Sequence, residues 1–178
     1  MTTTLSKSVL GKYKNDVFVE TGTLWGEAVE VAIECGFKKI YSMEIDPEKA
    51  KFNKNKFKKE IKKGIVEIIE GDSFKVFKDV ISKIDSSATF WLDAHWDGDV
   101  QGEYLCPLPF ELEALLSHPI KEHTLLIDDR RLFGVEDTTW GYTIDEDGIM
   151  ESISDINKNY KISYEHGCVP NDIIVARI

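Results

Sequence analysis

The sequence is short of most features that mark secreted, membrane-spanning or nucleic-acid-binding proteins. Cysteine is scarce: Cys35, Cys106 and Cys168 are odd in number, far apart and in no Cys-x-x-Cys pair, which argues against a disulfide framework or a zinc centre and for a reducing compartment. Positive charge is in deficit, with 22 basic against 32 acidic residues and a net charge of −10, so the broad basic surface that a phosphate backbone requires is missing. No window approaches the ~18 apolar residues of a bilayer span, and the opening MTTTLSKSVLGKYKND has no apolar core of signal-peptide length. Linkers and internal repeats are absent as well. These absences predict a cytoplasmic protein that partners neither membrane nor nucleic acid.

What is present is one domain's worth of chain. At 178 residues and a prior of about 150 per domain, residues 1–178 read as a single domain. A chain of this size buries about 70% of its unfolded surface without staples. The charge is uneven: Glu48 to Lys63 holds eight lysines against two glutamates, the solvated face of a helix rather than a partner patch.

Short apolar runs alternate with amphipathic stretches from Asp16 to Asp128, the pattern of a parallel sheet flanked by helices. Strands are expected at Val17–Glu20, Lys39–Glu44, Ile65–Glu70, Thr89–Asp93 and Thr124–Asp128, and helices at Gly26–Cys35, Pro47–Lys62, Phe74–Ile84 and Pro107–Ser117. Asp46 and Pro47 form a helix start, and Ser73 another. Beyond Asp128 come a helix at Gly148–Lys158 and two strands, Lys161–Glu165 and Asp172–Ala176, as an antiparallel edge hairpin. The expected fold is α/β: a Rossmann-like three-layer sandwich on a mostly parallel seven-stranded sheet.

Each of the first five strands ends in, or runs into, an acid: Glu20, Glu44, Asp72, Asp93 and the pair Asp128-Asp129. Ligands of open parallel sheets bind outside the carboxyl ends of the strands, so these acids should converge on one rim. Glu44 lies 22 residues after Gly22, a spacing that also suits the ribose-binding acid of a nicotinamide-dinucleotide site. The first loop, Glu20-Thr21-Gly22-Thr23-Leu24-Trp25-Gly26, has two glycines and an acid in front, which suits a cationic ligand better than a pyrophosphate.

Glu-x-Gly-x-x-x-Gly, Met43-Glu44-Ile45-Asp46, Gly71-Asp72-Ser73, Leu92-Asp93-Ala94-His95-Trp96 and Ile127-Asp128-Asp129 together resemble class I S-adenosylmethionine-dependent methyltransferases. The likeness covers Asp16 to Arg131 and is closest to the metal-dependent O-methyltransferases of catechols and macrocin-type sugars. That resemblance implies methyl transfer to a hydroxyl of a small-molecule acceptor. Glu20, Gly22 and Gly26 would hold the methionine end of S-adenosylmethionine, with Thr21, Thr23, Trp25 and Asp93 also at the cofactor. Glu44 would take the ribose hydroxyls, and Asp72 and Ser73 the adenine. Asp93, Asp128 and Asp129 match the oxygen ligands of a Mg²⁺ ion that would acidify the acceptor; otherwise Asp128-Asp129 is a turn paired with Arg130 and Arg131. His95, two residues past Asp93 and with a reference pKa near neutrality, is the candidate general base; the catechol enzymes carry a lysine just after the corresponding His-Trp where this chain has Asp97, which speaks against base-catalysed methylation of a catechol.

Trp96 and Tyr104 are candidates for walling the acceptor. Ala94–Cys106 and Leu132–Gly148 would build its pocket, unless a homo-oligomeric partner completes it. Trp140, Tyr142 and Asp145-Glu146-Asp147 fit a lid or an ordinary loop. The other functional readings are a non-catalytic S-adenosylmethionine-binding module and an NAD-dependent Rossmann enzyme. A metal-dependent oxygenase or hydrolase lacks a two-histidine triad.

Overall fold

Alternation along the strands is what divides the core between two faces. In β1 (Val17–Thr21) Phe18 and Val19 are both fully buried, yet they belong to opposite apolar clusters. Phe90 and Trp91 in β4 (Ala88–Leu92) part in the same way, as do Leu125 and Leu126 in β5 (Thr124–Ile127). Strands buried on both faces need helices on both faces. The computed structural model, which describes residues 3–95, 98, 100–136, 140 and 142–178, has that arrangement. One cluster is covered by α1 (Lys7–Leu10), α2 (Glu27–Glu34), α3 (Pro47–Lys56) and α4 (Lys58–Lys62). The other lies under α5 (Ser73–Ile81), α6 (Leu108–Ser117) and α7 (Glu146–Ile156).

The remaining strands are β2 (Lys39–Glu44), β3 (Val66–Glu70), β6 (Lys161–Glu165) and β7 (Ile173–Arg177). Their order in the sheet is β3-β2-β1-β4-β5-β7-β6. The first five run parallel, and β7 is antiparallel to both β5 and β6. This is the expected mostly parallel sheet with an antiparallel edge hairpin. The order reverses between β1 and β4, the switch point where a ligand crevice opens at the carboxyl ends of the strands. Among the described residues, no helix is long and apolar enough to cross a membrane.

Local differences from the expectation have identifiable causes. The lysine-rich helix is two helices, α3 and α4, broken at Phe57 (φ −98°, ψ 21°). Phe57 is buried against Gly26, and Ile61, four residues on, packs on the same cluster. Asp46 caps α3 with Pro47 in the first turn, as expected, whereas the cap of α5 is Asp72 and Ser73 is already helical. The short α1 was not foreseen; Ser6 caps it, and its Val9 and Leu10 are buried. Trp140 is core, 2% exposed, and Asp145 caps α7, so neither belongs to a free lid.

At the amino ends of β4 and β5 two buried histidines are bonded in series. Ala88 N–H donates to His123 Nδ1 (3.1 Å), which makes His123 Nε2 the donor to His118 Nδ1 (3.1 Å), and His118 Nε2 donates to the Ile81 carbonyl (3.0 Å). Each ring then holds one proton in a defined tautomer. Burial, and then the neighbouring His118, push the pKa of His123 down to about 4. The relay ties β4, α5 and the α6–β5 turn together with no charge inside the protein.

Candidate active site

The opposite ends of the strands surround a cleft whose empty volume, open mouth included, is about 1170 Å³. Gly22 (φ +82°) marks its floor: a Cβ there would stand 3.0 Å from the Asp93 carbonyl and 3.3 Å from Ala94 Cα, so only glycine lets the β1 loop cross the β4 loop. Glu20, Gly22, Thr23, Glu44, Asp72, Ser73, Asp93, His95, Asp128 and Asp129 all line the cleft. Thr21, Trp25 and Gly26 do not. Thr21 is fully buried beneath it, where its hydroxyl accepts from Asp93 N–H and donates to Glu111 Oε2, both at 3.4 Å. Trp25 is 45% exposed and stacks edge-to-face on Phe52. Gly26 is needed behind the wall, because a Cβ would lie 2.3 Å from Asn53 Oδ1 and 2.6 Å from the Phe57 ring.

Two acids shape the cofactor end. Glu44, at the end of β2, accepts from Leu24 N–H (2.7 Å) on one oxygen and from Asp46 N–H (2.9 Å) on the other. Its carboxylate is locked in the wall with lone pairs to spare, although burial still raises its pKa. Glu20 is 1% exposed and accepts from Ser42 Oγ, which itself shares a 2.6 Å hydrogen bond with Thr23 Oγ1. Burial lifts the Glu20 pKa well above the usual carboxylate range. Asp72 caps α5 through Phe74 N–H and also accepts from Glu103 N–H (2.8 Å), so it fastens the Gly102–Tyr104 turn over the cleft.

At the other end, His95 Nε2 lies 3.0 Å from Asp129 Oδ2 and 3.9 Å from Asp93 Oδ1. Asp129 sits in the left-handed region (φ +61°), and its second oxygen is 2.6 Å from Arg131 Nη1. The same nitrogen is 2.5 Å from Asp172 Oδ2, a side chain that is fully buried. Asp172 further accepts from Arg131 N–H and Cys168 N–H, both at 3.0 Å. Burial raises the pKa of Asp129, but His95 and Arg131 outweigh it and the net shift is downward. Asp93 moves the other way: burial, then Asp128, raise it well above its ordinary value. Burial also lifts Asp128 to about 6; Thr4 Oγ1 donates to one of its oxygens, and the other is buried without a protein partner.

The three acids expected to share Mg²⁺ are not delivered as one ligand set. Among the described residues, two groups have ligand atoms close enough to hold a metal ion, within 4.8 Å of one another: Asp93–His95–Asp129 and Asp128–Asp129–Asp172. Asp93 and Asp128 therefore fall in different groups. Asp129, common to both, has an oxygen on His95 and an oxygen on the Arg131 guanidinium, which already supplies positive charge there. The alternative reading of Asp128-Asp129, a turn paired with arginine, is the one this geometry favours for Arg131; Arg130 turns away to Glu146 (2.8 Å). Trp96 lies outside the described residues.

Several wall residues escaped the sequence. Thr3, Thr4, Lys49, Arg131 and Cys168 line the cleft, and Tyr104 does so as anticipated. Glu111, on α6, is 1% exposed directly under the floor, hydrogen-bonded by Thr21 and Ser73 and with Oε1 unpartnered. Burial raises its pKa to about 7. Its signal was present in the sequence: Leu108, Glu111, Leu112 and Leu115 occupy one helical stripe, and an acid on an apolar stripe needs a reason.

No family model matches the chain, and no curated protein does. Solved structures do. The O-methyltransferase of Bacillus cereus bound to S-adenosylhomocysteine aligns with a TM-score of 0.60 at 13% identity, over 97% of this chain and 78% of that one. TomG, an O-methyltransferase of Streptomyces achromogenes involved in tomaymycin synthesis and bound to S-adenosylmethionine, gives 0.62 at 11% identity over 97% and 77%. A methyltransferase of Podospora anserina bound to S-adenosylhomocysteine gives 0.59 at 14% over 91% and 71%. At such identities the likeness is one of fold, and the fold is the seven-stranded Rossmann-like sheet of these methyltransferases.

Proposed function

We propose that the protein is an S-adenosylmethionine-dependent methyltransferase acting on a hydroxyl of a small molecule. The observation that carries this reading is Glu44: a buried carboxylate at the carboxyl end of β2, held by two backbone N–H groups on the wall of a switch-point cleft. That is where a ribose would be gripped by both hydroxyls. Acids predominate around the cleft, and among its described wall residues only Lys49 and Arg131 carry fixed positive charge, which favours a sulfonium and ammonium ligand over a pyrophosphate. The reversed β7 also departs from the strand order of dinucleotide-binding domains.

The donor supplies an electrophilic methyl group on sulfur. The chain's own contribution is placement and proton handling. Glu44 and Ser73 fix the nucleoside, and the Gly22 crossing brings the β1 and β4 loops together beneath the methionine portion. His95 would take the acceptor's proton as its oxygen bonds to the methyl carbon and the carbon–sulfur pair returns to sulfur. Asp129, clamped by Arg131 and Asp172, orients His95 and, with Asp93, balances the imidazolium so formed. Holding both reactants in line accounts for most of the acceleration in such a displacement.

No step is routed through Mg²⁺, since the acids expected to bind it are divided between two groups and Arg131 neutralises the shared member. Calorimetric titration with S-adenosylhomocysteine tests the assignment: one-to-one binding, unchanged by EDTA, is expected. No binding would overturn it. Methyl transfer that requires Mg²⁺ and is lost in Asp128→Asn, while S-adenosylhomocysteine still binds, would restore the metal.

A further inference from the structure

The β6 edge of the sheet is left bare. All of Lys161–Tyr164 is exposed and only Glu165 is partly covered, whereas its neighbour β7 is buried from Ile173 to Ala176. The pairing of β6 with β7 is one-to-one from Lys161↔Arg177 to Glu165↔Ile173, with no bulge and no proline to blunt the outer side. The guards of β6 are its shortness and the end charges of Lys161 and Glu165, which a like strand of opposite polarity would pair. In register with the core-facing Ile174 and Ala176, the side chains of Tyr164 and Ile162 point to the α7 face. Both are 39% exposed, and Ile178, 52% exposed, follows the same alternation at the end of β7. The result is an apolar stripe continuous with the core but uncovered.

We infer that β6 pairs antiparallel with β6 of a second copy of this chain, about a two-fold axis at Ser163. The pentapeptide Lys161-Ile162-Ser163-Tyr164-Glu165 is self-complementary in that register. Lys161 of one copy stands opposite Glu165 of the other, Ile162 opposite Tyr164, and Ser163 opposite its own mate. Every cross-strand pair is therefore favourable in both halves, as an isologous interface demands. Glu165 is held on the α1 face by Lys12 Nζ (2.9 and 3.0 Å to its two oxygens) and Tyr13 Oη (2.6 Å), and its carboxylate is 15% exposed. On the α7 face Arg130 lies 4.6 Å over the Tyr164 ring and holds it upright. A partner of any other sequence would have to match this alternation of charge, apolar and hydroxyl groups; a second copy does so by symmetry.

A five-residue strand pair buries less than the ~1,200 Å² of a permanent interface, so the dimer belongs to the reversible class. The inference is independent of the methyl-transfer reading. Sedimentation velocity of the full chain over about 5 to 500 µM should show a monomer–dimer equilibrium. Amide exchange in β6 should slow as concentration rises. Lys161→Glu, which sets Glu against Glu165 twice, and Ile162→Asp should each raise the dissociation constant about tenfold or more. At concentrations well below the wild-type dissociation constant their melting temperatures should stay near the wild-type value, because both side chains are exposed in the monomer. A wild-type chain that stays monomeric over the whole range overturns the inference, and so does a dimer whose constant neither substitution moves.

Discussion

Both ends of the sheet bury polar side chains, and they do so in opposite ways. At the amino end, His118 and His123 satisfy each other and the backbone in a closed, neutral series. At the carboxyl end, Asp128 Oδ1 and Glu111 Oε1 are buried without protein partners. Among the described residues, the three non-glycine residues with positive φ, namely Leu24, Asp129 and Asn171, also lie in turns after strands on that side or before β7. An unpaired buried oxygen costs about 1–3 kcal/mol, and a left-handed residue is strained as well. Among the described residues, one end leaves only a neutral phenol oxygen, Tyr160 Oη, without a partner. The other is left incomplete in the places where a ligand is proposed to enter.

Removing the ribose grip should have the largest effect. Glu44→Ala is expected to weaken S-adenosylhomocysteine about a thousandfold, near 4 kcal/mol, through the loss of two charge-assisted bonds. Calorimetry measures it, and a loss below tenfold would move the cofactor off Glu44.

Glu111→Gln should come next, and with the opposite sign. The folded pKa of Glu111 lies above its unfolded value, so the stability it contributes is full below about pH 4 and fades as pH rises through about 7. The amide removes that ionisation and should stabilise the protein by about 3 kcal/mol at pH 8 with little change at pH 4. A variant with the wild-type melting profile at pH 8 would show that Glu111 stays neutral or finds a cation.

At the histidine end the sign reverses again. His123 titrates lower folded, about 4, than unfolded, near 6.5. The unfolded chain therefore binds more protons between those values, and stability falls as pH drops through that window. His123→Gln should cost about 2 kcal/mol at pH 8 by breaking the series. It should also flatten the acid-side decline, as chemical denaturation at pH 7.5 and 4.5 would register. Affinity for S-adenosylhomocysteine should not change.

The smallest effect belongs to Trp25→Ala. Its ring lies outside the cleft and against Phe52, so affinity should remain within about twofold and stability within about 0.5 kcal/mol, as for other surface changes. A larger loss of affinity would place Trp25 at the cofactor after all.

Short-range regularities made the fold legible. β2 and β6 occupy the expected residues, because alternation and strand-end punctuation are local. The rim acids were legible for the same reason, each being tied to the end of its own strand. Which side of a turn faces the cleft was not: Gly26 looks like a ligand glycine until α3 is seen to pass behind it. Nor was the clamp on His95, since Arg131 meets Asp172 across 41 residues of chain. The supposed metal ligands shared this limit. Three acids at neighbouring strand ends look convergent in sequence, but the left-handed turn at Asp129 aims its carboxylate at His95 and Arg131.

The position of β7 has a bearing on how the protein is made. The strand synthesised last of the seven enters between β5 and β6, and the residue just before it, Asp172, anchors Arg131. On the ribosome, where chains lengthen at about 5–20 residues per second, β5 would wait with an open flank while some fifty further residues emerged. Until Asp172 and β7 were in place, Arg131 would lack its second carboxylate and Asp129 would lack a fixed clamp. The Asp129 end of the cleft is thus the last to take shape, long after the Glu44 end, which is held by Leu24 and Asp46.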